Sequence, residues 1–515
     1  MTVGSALQTG LRLLVDRPAD VLPVYLLGIG LTATVRVPLV VSIGAAIALL
    51  VSDGRLETLV TELEAFLETT DLDPAAIEST PPSIPAGLET AVADVFSPAV
   101  VGLVGGGVML ALVVGVVAGG LSNAVALHGI YGALDGDDGV RAALAGLLAD
   151  WSSFVGLSIL QTLLTLLGLT PIVIGVGLFG LSPAAGFVAT AVGVLLGVGL
   201  IVVSSLLLAF AGQSIVADDV GLAGGVRRSA RLPISRPWMV GGYVLVALTV
   251  FAVLSILGSL FSLLGVSQLS GIVGPLLLLP FLDIFKFGLY ADRSFPIVAA
   301  PTETATDEQA ATRSTRSHRA RFVAAFRDGL AALGGFLRRA PLSVLFATAV
   351  FAAAAIVSYQ VTAGFGAEIP TPAEPGLVFG SFPVDTFVML AANNWLVSAT
   401  AAFGGLALGV PTGVDMLLNG GLIGALYGVT DSTAFLALVA PHGIIELPAI
   451  FVAGGLGFHI AAVVLGVLTG GASVASLVET LRLAYRVLLG LAVVLVVAAF
   501  IEAFLTPAIA AAILG

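Results

Sequence analysis

The residue types that can do chemistry in this chain are concentrated in a short run of its second half. His442 and Glu446 are four residues apart, so on a helix their side chains share one face. An imidazole and a carboxylate on adjacent turns can supply two metal ligands, with His459, Asp415 or Glu502 completing the shell. The spacing differs from the His-Glu-x-x-His pattern of a metalloprotease, so it permits a metal site without specifying one.

The same pair has two other interpretations. Pro441 and Pro448 flank it, and each proline frees a backbone group that must be satisfied inside a bilayer. A His–Glu pair that closes a break in a membrane helix is the interpretation we favour. An ion or substrate pathway comes next, with a discontinuous helix broken at His442–Gly443, because ionisable groups inside membranes are costly and often functional. We therefore expect neither a resident metal nor a cofactor.

Other polar and small residues accompany this pair. Asn393 and Asn394 lie in one apolar run, and Asp415 and Asn419 lie in the next. Glycines recur there every four residues and predict a smooth stripe for close helix contact: Gly420, Gly424 and Gly428.

The first half has few ionisable residues within its apolar runs. Asp283 and Lys286 are three apart and can pair with each other, which favours a structural role. Arg36 marks either a break in the first run or a partner for a distant carboxylate.

These residues must be positioned by membrane helices. The chain is 58% hydrophobic and 10% charged, with a mean hydropathy of +1.12, whereas soluble domains carry about a quarter charged residues. We predict an all-α, polytopic integral membrane protein with about eleven transmembrane helices plus interfacial amphipathic helices. The candidate runs lie near 20–51, 99–127, 153–180, 184–216, 238–264, 269–290, 342–362, 386–410, 414–429, 434–467 and 488–512.

The charge balance excludes one class of partner. The chain has 32 acidic against 20 basic residues, and a nucleic-acid partner needs basic patches. Lys286 is the one lysine, and acid excess with scarce lysine suggests a salt-loving source such as a halophilic archaeon; genomic base composition is the alternative. Cysteine is absent, so disulfides and thiolate sites are excluded.

Arginine placement predicts the orientation. Four arginine clusters fall on one side of alternating spans, which makes the N-terminus cytoplasmic and, with eleven spans, the C-terminus extracytoplasmic. The clusters are Arg12 with Arg17, Arg227 to Arg236, Arg313 to Arg339, and Arg482 with Arg486. The acidic loop 52–98 is then external, with a short amphipathic helix at Leu56, Val60, Leu63 and Phe66.

Three parts are expected along the chain. Residues 1–295 form a six-helix membrane domain of three repeats, each an interfacial helix followed by a helical hairpin. The interfacial helices are expected at Leu7–Arg17, Val140–Trp151 and Val220–Pro237. A cytoplasmic linker follows at 296–320, and a second membrane domain occupies 321–515. That domain opens with an amphipathic helix that lies on the inner leaflet or on the protein's own cytoplasmic face.

The polar motifs of the second half resemble a known family. Asn-Gly-x-x-x-Gly at Asn419–Gly424 and His-Gly-x-x-Glu-Leu at His442–Leu447 are similar to the stage II sporulation protein M family over about 321–515. The resemblance implies a multi-pass membrane protein, and its namesake resembles a scaffold for peptidoglycan hydrolases. The implied polar cluster is Asn393, Asn394, Asn419, Gly420, His442, Gly443 and Glu446, with Asp415, His459 and Glu502 as possible additions.

Residues 1–295 weakly resemble the membrane domain attached to some glycerophosphodiester phosphodiesterases, without any catalytic segment.

From the family resemblance of the second half we predict a membrane scaffold or accessory subunit that organises partner proteins at the cell membrane, and not an enzyme. Its expected partners are the lipid bilayer and membrane or extracytoplasmic proteins. The alternative is a transporter or permease-like protein with a polar site around His442 and Glu446.

Overall fold

The structure is a computed structural model that describes residues 2–69, 83–291, 295, 317–364 and 383–514. Throughout these residues the secondary structure is helical and contains no strand. Large apolar side chains, such as Leu195 and Leu245, cover the outside of the long helices, as expected where lipid replaces water. The all-α, multi-pass membrane class expected from composition is confirmed.

The first half begins with a short amphipathic helix, which several long apolar helices follow. Its helices are α1 (Val3–Asp16), α2 (Pro18–Thr32), α3 (Arg36–Ser52), α4 (Arg55–Thr69), α5 (Ala86–Val95), α6 (Pro98–Leu134), α7 (Gly139–Gly177), α8 (Pro183–Leu208), α9 (Ala211–Asp218), α10 (Leu222–Ser235), α11 (Pro237–Leu263), α12 (Ser270–Val273) and α13 (Leu279–Ala291). A 3₁₀ turn, Ala33–Val35, joins α2 to α3, and a π turn, Gly274–Leu278, joins α12 to α13.

The second half has fewer and longer helices. They are α14 (His318–Arg339), α15 (Pro341–Ala363), α16 (Pro383–Phe403), α17 (Val410–Val429), α18 (Ser432–Thr469), α19 (Val474–Phe500) and α20 (Thr506–Leu514). A π turn, Ile501–Leu505, continues α19 into α20. Most of the expected linker, residues 296–316, lies outside the described residues. Its end is helical, because α14 already begins at His318 behind the Ser317 side-chain cap.

Ten helical segments of the described chain are long and apolar enough to span a membrane, against the eleven runs expected. The eleventh run, 414–429, is α17, which is 20 residues long and so rises about 30 Å. It packs alongside α15 in the same direction, and its glycines meet successive residues of that helix: Gly420 against Phe351, Gly424 against Ala355 and Gly428 against Thr362. The helix α17 therefore runs parallel to the spanning helix α15, although α17 is less apolar.

Two sequence expectations about helix breaks are wrong. The helix α18 runs unbroken from Ser432 to Thr469 through both Pro441 and Pro448, so no break occurs at His442–Gly443. Membrane helices tolerate internal prolines when neighbouring groups satisfy the freed carbonyls. The interfacial segment expected at Val140–Trp151 is likewise continuous with the third span in α7. Pro18 and Pro237 come just after the ends of α1 and α10, where the helices stop. No proline lies directly after Trp151, so α7 continues there.

The two halves contact each other closely. A Cβ atom on Gly30 of α2 would lie 2.3 Å from the backbone oxygen of Phe403, so only glycine permits this approach. A second contact between the two halves is the ion pair of Arg482, on α19, with Asp138, which precedes α7. Arg321 of α14 donates to Val15 O at 3.3 Å, which places α14 and α1 on the same side of the protein.

The helix α14 combines both positions considered for it. Its inner face packs on α19, where Gly329 meets the backbone of Gly490, and Phe336 is fully buried. On the outer face of this helix the apolar side chains of Phe322, Leu330 and Leu337 are exposed. This helix thus rests on the protein and offers a lipid-facing stripe.

Candidate intramembrane polar site

Three of the candidate residues converge in the second half. His442 and Glu446 lie on successive turns of α18, and Glu502 faces them from the π turn that ends α19. Their ligand atoms all lie within 4.8 Å of one another, and His442 Nε2 is 3.7 Å from Glu502 Oε1. We call these three residues the polar triad. Of the three residues considered as a partner for His442 and Glu446, the structure selects Glu502.

Pro507 explains the local shape of the chain at Glu502. A proline has no backbone N–H, so the carbonyl of Ala503 loses its helical donor. The preceding N–H, that of Thr506, bonds Ile501 O five residues back, which makes this turn a π turn. Single π turns occur often at functional sites because they re-aim a side chain. Here the turn carries Glu502, which faces His442.

Thr506 orients the imidazole. Its hydroxyl donates to Ile501 O at 3.2 Å, and its oxygen lies 3.5 Å from His442 Nδ1. With its proton already committed, the hydroxyl oxygen can only accept a hydrogen bond from His442. This arrangement favours the Nδ1–H tautomer of His442, in which the lone pair of Nε2 points toward Glu502.

The triad contains an unsatisfied carboxylate oxygen. Glu446 Oε2 is fully buried and has no hydrogen-bond partner among the described residues. His442 is 9% exposed, and the Glu502 side chain is 15% exposed. A buried oxygen without a partner costs free energy, so this atom marks a place where a further group is needed.

The other two candidate ligands lie elsewhere. Asp415 of α17 is paired with Arg36 of the first half, at 3.4 Å between Oδ1 and Nη1. His459 lies further along α18, where its ring packs edge-on against Phe336 at 5.8 Å between centroids. Neither residue joins the polar triad. Arg36 resolves an alternative left open by the sequence, since it both follows the 3₁₀ turn and pairs with a distant carboxylate.

The remaining family-motif residues have local packing roles. Asn393 Nδ2 donates to Asn394 Oδ1 at 3.4 Å, and Asn394 is buried with its own Nδ2 unpartnered. Asn419 caps a carbonyl of its own helix, Asp415 O, at 2.7 Å. Gly420 allows α17 to approach α15, whereas a Cβ atom on Gly443 would meet only ordinary contacts in its own helix.

A second buried charge pair lies in the first half. Asp283 Oδ1 and Lys286 Nζ are 3.9 Å apart on α13, and Tyr25 donates its hydroxyl proton to Asp283 Oδ2 at 2.8 Å. This arrangement ties α2 to α13 and fits the structural role expected for the pair. Sequence reasoning missed Tyr25, Thr506 and Pro507, because their roles depend on contacts between distant helices.

Similarity to known proteins centres on the half that contains the triad. The sequence model of the family described as stage II sporulation protein M matches residues 342–507. An uncharacterized protein of Methanocaldococcus jannaschii is 30% identical over 129 residues, which are 24% of this chain and 72% of that protein. The chain belongs to the stage II sporulation protein M family. No solved structure matches it.

The stage II sporulation protein M match contains the whole triad together with Thr506 and Pro507. The amphipathic helix α14 and residues 1–341 lie outside it. The resemblance of residues 1–295 to a phosphodiesterase membrane domain stays a prediction, as does the division of the chain into two domains.

Proposed function

We propose that this member of the stage II sporulation protein M family is an integral membrane scaffold or accessory subunit that organises partner proteins. The observation that supports it is the helical pair α4 and α5, which projects between the first two spans on the side opposite α1. We call this pair the acidic hairpin. It is the part of the described chain with the largest excess of acidic side chains outside the membrane.

Arg55 links the two helices of the acidic hairpin. Its guanidinium contacts Asp53 and donates to Asp94 O at 2.8 Å and to Ser97 Oγ at 2.7 Å, which ties the start of α4 to the end of α5. Gly87 lies close against Glu62 between the two helices. A surface fixed in this way costs little ordering entropy when a partner binds.

The exposed side chains of the acidic hairpin suggest the chemistry of a partner. Glu57 and Glu64 are exposed on α4, and Leu63 and Leu67 are 42% and 47% exposed beside them. Carboxylates with neighbouring apolar groups fit a protein surface that carries basic and apolar side chains. The partner we propose is therefore a membrane or extracytoplasmic protein with a basic patch.

Cross-linking in native membranes, followed by affinity purification and mass spectrometry, tests this role. The wild-type chain is expected to recover the same partners repeatedly, and the Glu57→Lys/Glu64→Lys variant is expected to lose them. Asp328→Lys is the matched control, because Asp328 is also an exposed helical acid but lies on α14, at the opposite side. Recovery of this chain alone, or equal recovery by both variants, would contradict the proposal.

We further propose that α1 and α14 face the cytoplasm, with the C-terminus extracytoplasmic. The arginine clusters support this orientation. Because the chain contains no cysteine, one can be introduced at Glu64 or at Asp328. An impermeant maleimide added to intact cells is expected to label Glu64→Cys and not Asp328→Cys. The opposite labelling pattern would reverse the orientation.

The polar triad favours transport as a second candidate function. Buried ionisable groups in spanning helices mark ion and solute pathways in many transporters. In proteoliposomes, transport predicts ion or solute flux that Glu446→Gln abolishes while the variant still elutes as a folded protein. Flux equal to that of protein-free liposomes would leave the scaffold role as the better proposal.

A further inference from the structure

The two carboxyl groups of the polar triad have no lysine or arginine partner among the described residues. Two carboxylates face each other through His442, and residues 340–481 and 487–515 contain neither lysine nor arginine. The helices that build the triad therefore bring no lysine or arginine close to it, since Arg482 and Arg486 lie about four turns or more before Glu502 on α19. Arg36, from the first half, is already paired with Asp415. Two carboxyl groups this close inside a bilayer are neutralised either by protons or by a bound cation.

The imidazole is oriented to accept that cation. In the Nδ1–H tautomer, which the contact with Thr506 favours, His442 Nε2 presents a lone pair to Glu502 Oε1 at 3.7 Å. A lone pair that faces a carboxylate oxygen is repulsive unless a proton or a metal ion lies between the two atoms. Metal-bound histidines commonly use their other ring nitrogen in such an outer hydrogen bond, which holds the ring in place.

The distances fit an ion shared by the three side chains. Ligand bonds of about 2.0–2.2 Å place two ligand atoms of one zinc-like ion about 3–4 Å apart. The separation of 3.7 Å between His442 Nε2 and Glu502 Oε1 falls in this range. All three ligand atoms lie within 4.8 Å, so a small rotation of a glutamate side chain closes the remaining gap.

We propose that His442, Glu446 and Glu502 form a binding site for a divalent transition-metal cation such as Zn²⁺. The ligands are His442 Nε2 and one oxygen from each glutamate, and the unpartnered Glu446 Oε2 is among the atoms free to bind. Imidazole with carboxylates favours zinc-like ions over Mg²⁺ or Ca²⁺, which prefer sites made of oxygen alone. The site has a net charge of zero when two carboxylates bind one dication, so it is stable within a membrane. It depends on neither proposed function.

Metal binding is tested on the full-length protein, purified through a tag without histidine and stripped with a chelator. After incubation with Zn²⁺ and desalting, elemental analysis is expected to find one zinc per wild-type chain. His442→Ala and Glu502→Gln are expected to retain less than a tenth of that amount. The control is His459→Ala, which removes the other histidine of α18 and is expected to bind zinc as the wild type does.

The spectrum of Co²⁺ distinguishes ligation by the triad from loose surface binding. Co²⁺ in the wild-type site is expected to show visible absorption bands of low-coordinate cobalt, and these should disappear in Glu446→Gln. Thr506 is a positioning residue, so Thr506→Val is expected to shift the bands and to weaken affinity by about 10–100-fold, with Thr506→Ser restoring both. Gel filtration checks that each variant is folded.

Two outcomes would overturn the proposal. One is a wild-type protein that binds no more zinc than the His442→Ala variant, in which case protons alone neutralise the carboxylates. The other is zinc binding that survives in Glu502→Gln and disappears in His459→Ala, which would move the site away from the triad.

The choice of metal has its own test. Mg²⁺ that displaces Zn²⁺ at equal concentration would contradict the assigned ligand chemistry.

Discussion

Arg36 and Asp415 are far apart in sequence and meet between the two halves of the protein. Arg36 Nη1 lies 3.4 Å from Asp415 Oδ1, at the point where a 3₁₀ turn interrupts the first membrane segment. The Asp415 side chain is 7% exposed and the Arg36 side chain is 52% exposed, so the carboxylate is the buried partner. Asp415 Oδ2 has no hydrogen-bond partner among the described residues. Arg36 thus offsets part of the free-energy cost of burying the Asp415 carboxylate.

The unequal burial predicts unequal effects of mutation. Arg36→Gln leaves Asp415 buried without its counterion, and we expect a loss of about 1–3 kcal/mol of stability, less than for a fully buried pair because Arg36 is half exposed. Asp415→Asn removes the buried charge itself and should cost less. Unfolding midpoints in detergent, compared for the two single variants and the double variant, measure the coupling between the residues. Additive effects would show that the pair does not join the halves.

Close packing of α17 on α15 predicts a second asymmetry within one helix. A Cβ atom on Gly424 would lie 1.9 Å from Ala355 O, so Gly424→Ala forces the two backbones apart and should cost about 1–3 kcal/mol. Gly413 lies on the same helix with open space around it, and Gly413→Ala should be neutral or stabilise by up to about 1 kcal/mol. Thermal unfolding of both variants checks this. Equal midpoints would contradict the parallel packing of the two helices.

The glycine stripe shows what the sequence could specify. Its period of four places Gly420, Gly424 and Gly428 on one face of any helix, so close contact could be expected before the partner helix was known. The apolar runs likewise predicted the spans, since their length and composition reflect the bilayer itself. Both signals are local. They need no information about which distant segments meet.

The composition of the polar triad could not be specified in this way. Asp415, His459 and Glu502 were equal candidates to join His442, and only the packing of α19 against α18 separates them. Glu502 is aimed by a π turn, whose cause is a proline five residues further along the chain. The expected helix break was wrong for the opposite reason. The backbone groups freed by Pro441 and Pro448 were expected to require a break, whereas α18 is continuous through both prolines.

Arg17 joins the start of the chain to the turn between α6 and α7. It is 5% exposed and donates to Ala133 O at 2.8 Å, to Asp137 O at 2.9 Å and to Asp20 at 2.8 Å. A lysine is a point charge that cannot reach three acceptors in these directions, so Arg17→Lys should cost about 2–4 kcal/mol. Arg12→Lys is the control, because Arg12 is exposed on α1, the helix that ends just before Arg17. Unfolding midpoints should separate the two variants, and a similar midpoint for both would show that charge alone matters at Arg17.

The acidic hairpin should loosen in acid. Hydrogen bonds from Arg55 hold the pKa of Asp53 below its ordinary value of 3.8. A carboxylate with a lowered pKa contributes stability above its unfolded-state pKa, and this contribution disappears as the pH falls through the folded-state pKa. Deuterium exchange in Arg55–Thr69, measured at pH 6 and then below pH 3.8, should therefore rise more in the wild type than in Asp53→Asn. Comparison with the variant at each pH cancels the intrinsic effect of acid on exchange. If both proteins show the same change, the contact of Asp53 with Arg55 does not hold the hairpin together.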